Sequence, residues 1–480
     1  MAAFLRALSS AALGFSSMHD TCSKEDTGQN DGGPLAGTII VLLACLYTGC
    51  TSRYQGSDGE INLGWSSALT SLQVKAEGAL EFTEDQTDIR SITPKGYLLI
   101  KERRGLTVRK FEAVQGPDGT LTRSYYLRGR PRQMDKEARA WLASVLPEVI
   151  DRTGIGASTR AQKLLKQRGT PGVLEEIAHL KSDRIKVLYF KELFQSGNLS
   201  SQELQQAAQQ VSRQISSDGE KASLLSEVAD LYVMNPAARS DFFGAVQTIG
   251  SDGEREGLLS GLLTRKGFNQ ELLIQVLKSA ANITSDGEKA SVLVKAAEHC
   301  PADDNVLSEY LRTAVTISSD GEKSRVLSAL LKKQGLSNEI LVKTLNATAT
   351  ISSDGEKAAV LEEVVQIRPN HETVLSAYLA TAGSISSAGE RGRVLTVLLG
   401  RGDLSQQDLR QVLESAAGIA SDGEKAAVLE QAAKFCSNDD TLLTAFLAAT
   451  ETLSSDGEYR RLMSTLMNQI KPRALPRSPR

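Results

Sequence analysis

Apolar residues in the second half of the chain recur in two alternating stripes. Leu307, Tyr310, Leu311 and Ala314 fall at i, i+3, i+4 and i+7, and Val326, Leu327, Leu330 and Leu331 form a second set of the same kind. Spacings of three and four place side chains on one face of a helix, so each stripe predicts an amphipathic helix. Ile317 and Ser318 break the pattern between the two, and Gly335 follows the second, where a glycine ends a helix in the left-handed conformation. The two stripes together predict a helical hairpin.

The hairpin repeats. Ser-x-Gly-Glu returns eight times at an interval of 34 residues, with Asp218, Asp252, Asp286, Asp320, Asp354, Asp422 and Asp456 in the open slot and Ala388 in the remaining one. Such a period defines a stacked array, because a single hairpin can bury its apolar face only against its neighbours. Ser and Glu three apart have the spacing of a capping box, in which the Ser side chain accepts from the third helical amide and the Glu reaches back to the cap amide. The pairs are Ser217 and Glu220, Ser251 and Glu254, Ser285 and Glu288, Ser319 and Glu322, Ser353 and Glu356, Ser387 and Glu390, Ser421 and Glu424, and Ser455 and Glu458. The Asp then lies in the first turn, where its charge favours the helix dipole. A calcium loop needs several oxygens converging within one turn, and the unit with Ala388 keeps its cap, so the acidic row reads as capping and not as a metal ladder.

Neighbouring units differ in a regular way. Phe242, Tyr310, Tyr378 and Phe446 are 68 residues apart in the first helix of alternate units, while Val276, Thr344 and Val412 stand there in the others. Large and small side chains alternate as interdigitating layers require. The connections alternate too, with Lys266-Gly267 and Gln334-Gly335 in one class and Cys300-Pro301 and Cys436-Ser437 in the other, so the structural unit is a pair of hairpins. Ser182-Asp183 reads as a degraded additional unit without the Glu, as befits the end of a stack. The expected fold class is mainly α: a right-handed, HEAT/TPR-like α-solenoid over 155–470, with its degenerate first unit near 170–200, behind a small antiparallel β-rich domain.

That domain is expected at 67–154. Strand signals run over 72–76, 80–82, 97–101, 106–111 and 121–127, and Pro117-Asp118-Gly119 sets a turn between the last two. Ala138, Trp141, Leu142, Val145 and Leu146 predict a helix from near Asp135, its regular part closed by Pro147. Residues 51–66 read as a linker, and 471–480, with three Pro, three Arg and one Lys, as a disordered basic tail.

Residues 1–50 form a leader. Its apolar run at 35–48 is 14 residues long, shorter than the roughly 20 a membrane span needs and right for the centre of a signal peptide. Thr48-Gly49-Cys50 follows and resembles the lipobox at which bacterial lipoproteins are cleaved and lipidated, with Tyr47 where that motif usually has Leu. A net charge of -3 over 480 residues gives no general attraction to nucleic acid.

The stretch VKAEGALEFTEDQTDIRSITPKGYLLIKER, then DGTLTRSYYLRGR and EARAWLASVLPEVIDRTGI, followed by the SDGEKAAVL units, is similar to extracytoplasmic regions of bacterial BlaR/MecR-like zinc metallopeptidases and their unattached relatives. The resemblance covers about residues 70–470 and implies an envelope-exposed sensing or binding region. The HExxH of that family's peptidase does not occur, so its catalysis does not carry over.

Other chemistry is sparse. There is no P-loop, G-x-S-x-G or CxxC, and His19, His179, His299 and His371 lack metal-ligand spacing, so no catalytic, cofactor or metal residue is assigned. Cys300 and Cys436 are four units apart, beyond the reach of a disulfide in a straight array. Arg401-Gly402-Asp403 spells an adhesion tripeptide by chance composition, and Arg103, Arg104, Arg109 and Arg123 suggest a basic strand face. The expectation is a non-enzymatic, envelope-associated interaction scaffold with a protein partner, anchored by lipid on Cys50 or periplasmic; a cytoplasmic location is the alternative compartment. The alternative function is a sensor, related to a BlaR/MecR-like receptor, that controls a separate protease or repressor.

Overall fold

The computed structural model describes residues 53–55, 60–67, 69–116, 118–197, 199–367, 371–436 and 439–469. The leader with Cys50, Pro117 and the tail at 471–480 lie outside the described residues.

The chain divides into two compact units. The first comprises the described residues up to Gly78 together with Ile92–Ala138. Alternating apolar residues build an antiparallel sheet there from β1 (Arg53–Gln55), β2 (Glu60–Ser66), β3 (Thr70–Glu77), β6 (Tyr97–Arg104), β7 (Thr107–Gln115), β8 (Leu121–Leu127) and β9 (Arg130–Arg132), in that spatial order. Val74, Ile100, Phe111 and Tyr125 are successive cross-strand partners and line the buried face. The turn after β7 is held by Asp118, whose carboxylate accepts from the Thr120 amide at 3.1 Å. The intervening β4 (Leu80–Phe82) and β5 (Ile89–Ile92) form a separate two-stranded ladder.

Three expectations change here. Residues 60–66 are a paired strand and not linker, because Ile61, Leu63 and Trp65 alternate in register with Ala76, Val74 and Leu72. The segment 79–91 and the chain from Arg139 belong with the helices, so the boundary does not fall at 154. The helix α1 (Lys136–Thr153) runs through Pro147. One lost backbone bond does not end it, since Val149 and Ile150 beyond the proline extend its buried stripe.

The second unit is helical, and nineteen α-helices occur among the described residues of the chain. After α1, Gly154 and Gly156, both with positive φ, turn the chain into α2 (Ala157–His179), which is interrupted at Gly169 before Pro171. The helix α3 (Asp183–Gln195) opens the repeat. From there each Ser-x-Gly-Glu helix packs against the equivalent helix of the units before and after, and the intervening helices stack likewise, from Ser201–Gln214 to Asp440–Thr450. The result is a two-layered α-solenoid whose core is continuous from Ala157 to Leu466.

The alternation of units has a structural counterpart. Gly267, Gly335 and Gly402 have positive φ at the connections of one class. In the other class Cys300 and Cys436 are buried, and Pro236–Ala238 forms a 3₁₀ turn. Tyr310 and Tyr378 donate their phenol hydrogens to the carbonyls of Val326 and Val394, at 2.9 and 3.0 Å, so where the large side chain is a tyrosine it also ties its helix to the next; Phe242 and Phe446 make no such bond.

Candidate functional site

The recurring motif forms a ridge along one edge of the array, at the start of each second-layer helix. Ser217, Ser251, Ser319, Ser353, Ser387, Ser421 and Ser455 each accept, through Oγ, from the amide of the Glu three residues on, at 3.4–3.5 Å. In the remaining unit the Ser285 hydroxyl bonds the Glu288 carboxylate instead. The reciprocal half of the expected capping box is not made among the described residues: none of these Glu side chains returns to the cap amide. Complete boxes occur elsewhere, at Ser200 with Glu203 and Ser405 with Asp408.

The cap amide is taken by the preceding unit. Asp218 accepts from the amides of Gly250 and Ser251, at 2.9 and 2.8 Å. Asp252 does the same for Thr284 and Ser285, Asp286 for Ser318 and Ser319, Asp320 for Ser352 and Ser353, and Asp422 for Ser454 and Ser455, all at 2.7–3.0 Å. Asp354 holds Ser387 alone, at 2.7 Å. A carboxylate here satisfies orphan donors at the start of a helix it does not belong to. Favouring its own helix dipole is a secondary role for each Asp.

Three residues beyond the Asp slot, in every unit but the last, a cation works on the same loop. Lys221, Lys289, Lys323, Lys357 and Lys425 are buried, and their Nζ atoms donate to the hydroxyls of Thr248, Thr316, Thr350, Ser384 and Thr452 at 3.0–3.2 Å. Four of them also reach the carbonyl of the same residue. These acceptors end the first-layer helix of the following unit, where a cation suits the negative end of the dipole. Two units carry Arg instead, and both lack the hydroxyl. Arg255 donates to the Asn282 carbonyl at 2.8 Å, and Arg391 to the carbonyls of Ser415 and Gly418 at 2.8 and 3.3 Å. A Cβ at Gly418 would lie 2.9 Å from the Arg391 guanidinium, so the longer head excludes a side chain there.

An inter-helix loop of the array is thus clasped from the preceding unit, by Asp at its amides and by Lys or Arg at its carbonyls. The degraded unit shows which positions matter. It lacks Gly and Glu, yet Asp183 accepts from Ser216 and Ser217 at 2.7 Å, and Lys186 reaches the Gln214 carbonyl at 2.5 Å. At Ala388 the carboxylate half of the clasp is missing: the amides of Ala420 and Ser421 have no partner among the described residues. The recurring Gly is not explained by packing, since a Cβ would meet open space at Gly253, Gly287, Gly321 and Gly355.

The bonds leave their mark on the carboxylates. The Ser352 amide, opposed by some desolvation and aided by Ser353, holds the Asp320 pKa below its ordinary value. At Asp252 and Asp183 desolvation acts the other way but is outweighed by the donors of the next unit, so both are also lowered.

The remaining candidates are placed as follows. Burial pushes the thiols of Cys300 and Cys436 up to about 12 and about 11, and neither is in a disulfide. His371 caps the helix Glu372–Gly383, and the His299 ring lies against Phe268. Among the described residues no group of His, Cys, Asp or Glu could hold a metal ion, and no helix is long and apolar enough to cross a membrane. The Arg401 side chain, 5 % exposed, folds onto Asp403 with 2.9 Å between Nε and Oδ1, so the tripeptide is closed on itself. The four arginines do not share a strand face. Arg103 alternates with Arg104, which bonds Glu102 on the other side, and Arg109 reaches Glu137.

The sequence matches no known protein family and no curated protein. A solved structure titled "Computational Design of Self-Assembling Cyclic Protein Homooligomers" aligns with 65 % of this chain and 93 % of its own, at 11 % identity and a TM-score of 0.12.

Proposed function

We propose that the protein is a non-enzymatic scaffold that offers its repeat array to another protein and is held at the bacterial envelope by a lipid on Cys50. The observation that carries the scaffold reading is the clasped ridge. Seven of the eight motif loops are tied by a carboxylate to the unit before them, and Asp354 still holds one amide at the edge of the weakest junction. An array locked in this way keeps its outer side chains in fixed register over many units, which a partner needs if affinity is to be spread along a solenoid. The Ser hydroxyls, the gripping Asp carboxylates and the cations three residues beyond the Asp slot bond within the array, which supports a structural role for them.

The test joins compartment and partner. The tagged chain and its Cys50→Ala variant are labelled with a fatty-acid probe and fractionated, and the wild type is cross-linked in place. Label and membrane retention that vanish in the variant, with cross-links running from several consecutive units to one protein, support the proposal. An unlabelled, soluble product removes the anchor, and cross-links confined to the sheet unit remove the array as the binding surface.

A further inference from the structure

One end of the antiparallel sheet gathers three turns. The turn between β2 and β3 contains Leu69, and the two-residue turn between β6 and β7 is Gly105-Leu106. These two adjoin, since the Gly105 amide donates to the Leu69 carbonyl at 2.8 Å. The turn between β8 and β9 lies at the same end, where the Arg128 amide donates to the Val108 carbonyl at 2.7 Å. Leu106 is 91 % exposed and Leu69 71 %, so two leucines stand in solvent at neighbouring turns. Scattered exposed leucines need no explanation, but an adjoining pair does. Gly105, at φ 57°, meets the one special backbone demand of its turn, and nothing in such a turn calls for leucine at the second position.

Arginines are concentrated at this end. The Arg103 Nε donates to the Gly105 carbonyl at 3.2 Å, which brings its guanidinium to the turn itself. Arg128 and Arg130 flank Gly129 in the third turn, and both are exposed. Arg128 has φ 51°, in the left-handed region where such a turn ordinarily places Asn, Asp or Gly, so folding alone gives no reason for an arginine there. The carboxylates at this end are committed, Glu102 to Arg104 at 2.7 Å and Glu137 to Arg109 at 3.3 Å. Arg103, Arg128 and Arg130 make no ion pair among the described residues. The chain also enters the sheet here: Arg53 of β1 is opposite Gly64, near the end of β2, and β1 runs away from the turns to Gln55 opposite Asn62. Cys50 is three residues before Arg53, a span of at most about 11 Å.

We propose that this end of the sheet docks on an anionic lipid bilayer, with Leu69 and Leu106 entering the interface and Arg103, Arg128 and Arg130 lying against lipid phosphates. Apolar tips beside cations suit such a surface, because the leucines gain the acyl boundary while the guanidinium groups meet the negative headgroups. A stable protein complex buries about 1,000 Å² or more, which two leucines on turn tips are poorly shaped to provide, whereas a bilayer accepts a narrow edge. A lipid on Cys50 would bring the membrane to the same end of the sheet, and only for that direction of approach does the inference rest on the envelope reading.

The test is co-sedimentation of the full chain carrying Cys50→Ala, so that no attached lipid contributes, with vesicles of phosphatidylcholine made with and without phosphatidylglycerol. Stronger binding to the phosphatidylglycerol vesicles is expected, falling as salt is raised. Leu69→Ser with Leu106→Ser should weaken it about tenfold or more. Arg128→Asn, which suits the left-handed turn and removes only the charge, should weaken it about fivefold, as should Arg130→Gln. Thermal unfolding reports that each variant is folded. Equal binding of the parent and the double leucine variant overturns the proposal, and so does equal binding of the parent and both arginine variants. Either failure leaves the anchor at Cys50 standing, since that is read from fatty-acid labelling of the unaltered chain.

Discussion

Ala388→Asp should tighten the junction that now lacks its carboxylate. The substitution places an acid in the slot that Asp354 and Asp422 occupy in the flanking units, facing the amides of Ala420 and Ser421, which have no partner among the described residues. Elsewhere in the array that arrangement gives two bonds of 2.7–3.0 Å. A hydrogen bond to a charged group contributes about 1.5–3 kcal/mol, and partial solvent exposure of the carboxylate brings the expected gain for the pair down to about 1–2 kcal/mol. The readout is native-state hydrogen exchange at Ala420 and Ser421, because local opening of one junction need not appear in a global melt. By the relation of about 1.4 kcal/mol per factor of ten, protection at both amides should rise about 5- to 30-fold. Asp320→Ala should lower protection at Ser352 and Ser353 by a similar factor. Unchanged exchange in both variants would refute the view that these carboxylates hold the loops.

Four further outcomes follow from the same geometry. Gly418→Thr alone should destabilise, since its Cβ meets Arg391, whereas Gly418→Thr with Arg391→Lys rebuilds the Lys and Thr pair; a double-mutant cycle in urea should give a favourable coupling of about 0.5–3 kcal/mol. Leu327→Ala, at a fully buried position, should cost about 2–5 kcal/mol against about 0.5–2 kcal/mol for Ser319→Ala, and equal costs in a denaturation series would undo the core assignment. The lowered pKa values of Asp183, Asp252 and Asp320 predict acid weakening: their contribution is full above the ordinary carboxylate pKa and is lost as pH falls through the depressed folded values. A urea series at decreasing pH should show this, with a smaller slope in the triple Asp→Asn variant. Cys300 should resist alkylation at neutral pH until the chain is unfolded, given its burial and a pKa of about 12.

The array was legible because its signal is local and repeated. Apolar spacing within ten residues defines each helix, and eight copies of Ser-x-Gly-Glu fix the stack. The clasp was not, because it joins residues 32–34 apart, and the capping-box spacing offered a nearer use for the same atoms. A signal was present: Lys three after the Asp goes with Thr or Ser at the loop, and Arg with Asn282 or Gly418. The strand Glu60–Ser66 was hidden because Asn62 and Gly64 are residue types depleted in strands, although Ile61, Leu63 and Trp65 alternate cleanly. Arg104 and Arg109 appeared free in sequence, whereas their partners, Glu102 and Glu137, are set by strand alternation and by a turn into α1.

The clasps all point one way along the chain. Each clasped loop is gripped by the unit before it, so the array has a polarity of damage. Removing Asp286 frees the loop at Ser318 and Ser319, and leaves the loop at Thr284 and Ser285, held by Asp252, as it was. Asp456, exposed at the last motif, grips nothing among the described residues, and Tyr459 stands where the cation would be. A chain built on this rule can be shortened or lengthened at its carboxyl end in whole hairpins without unfastening anything already folded, much as teeth are added to one end of a zip.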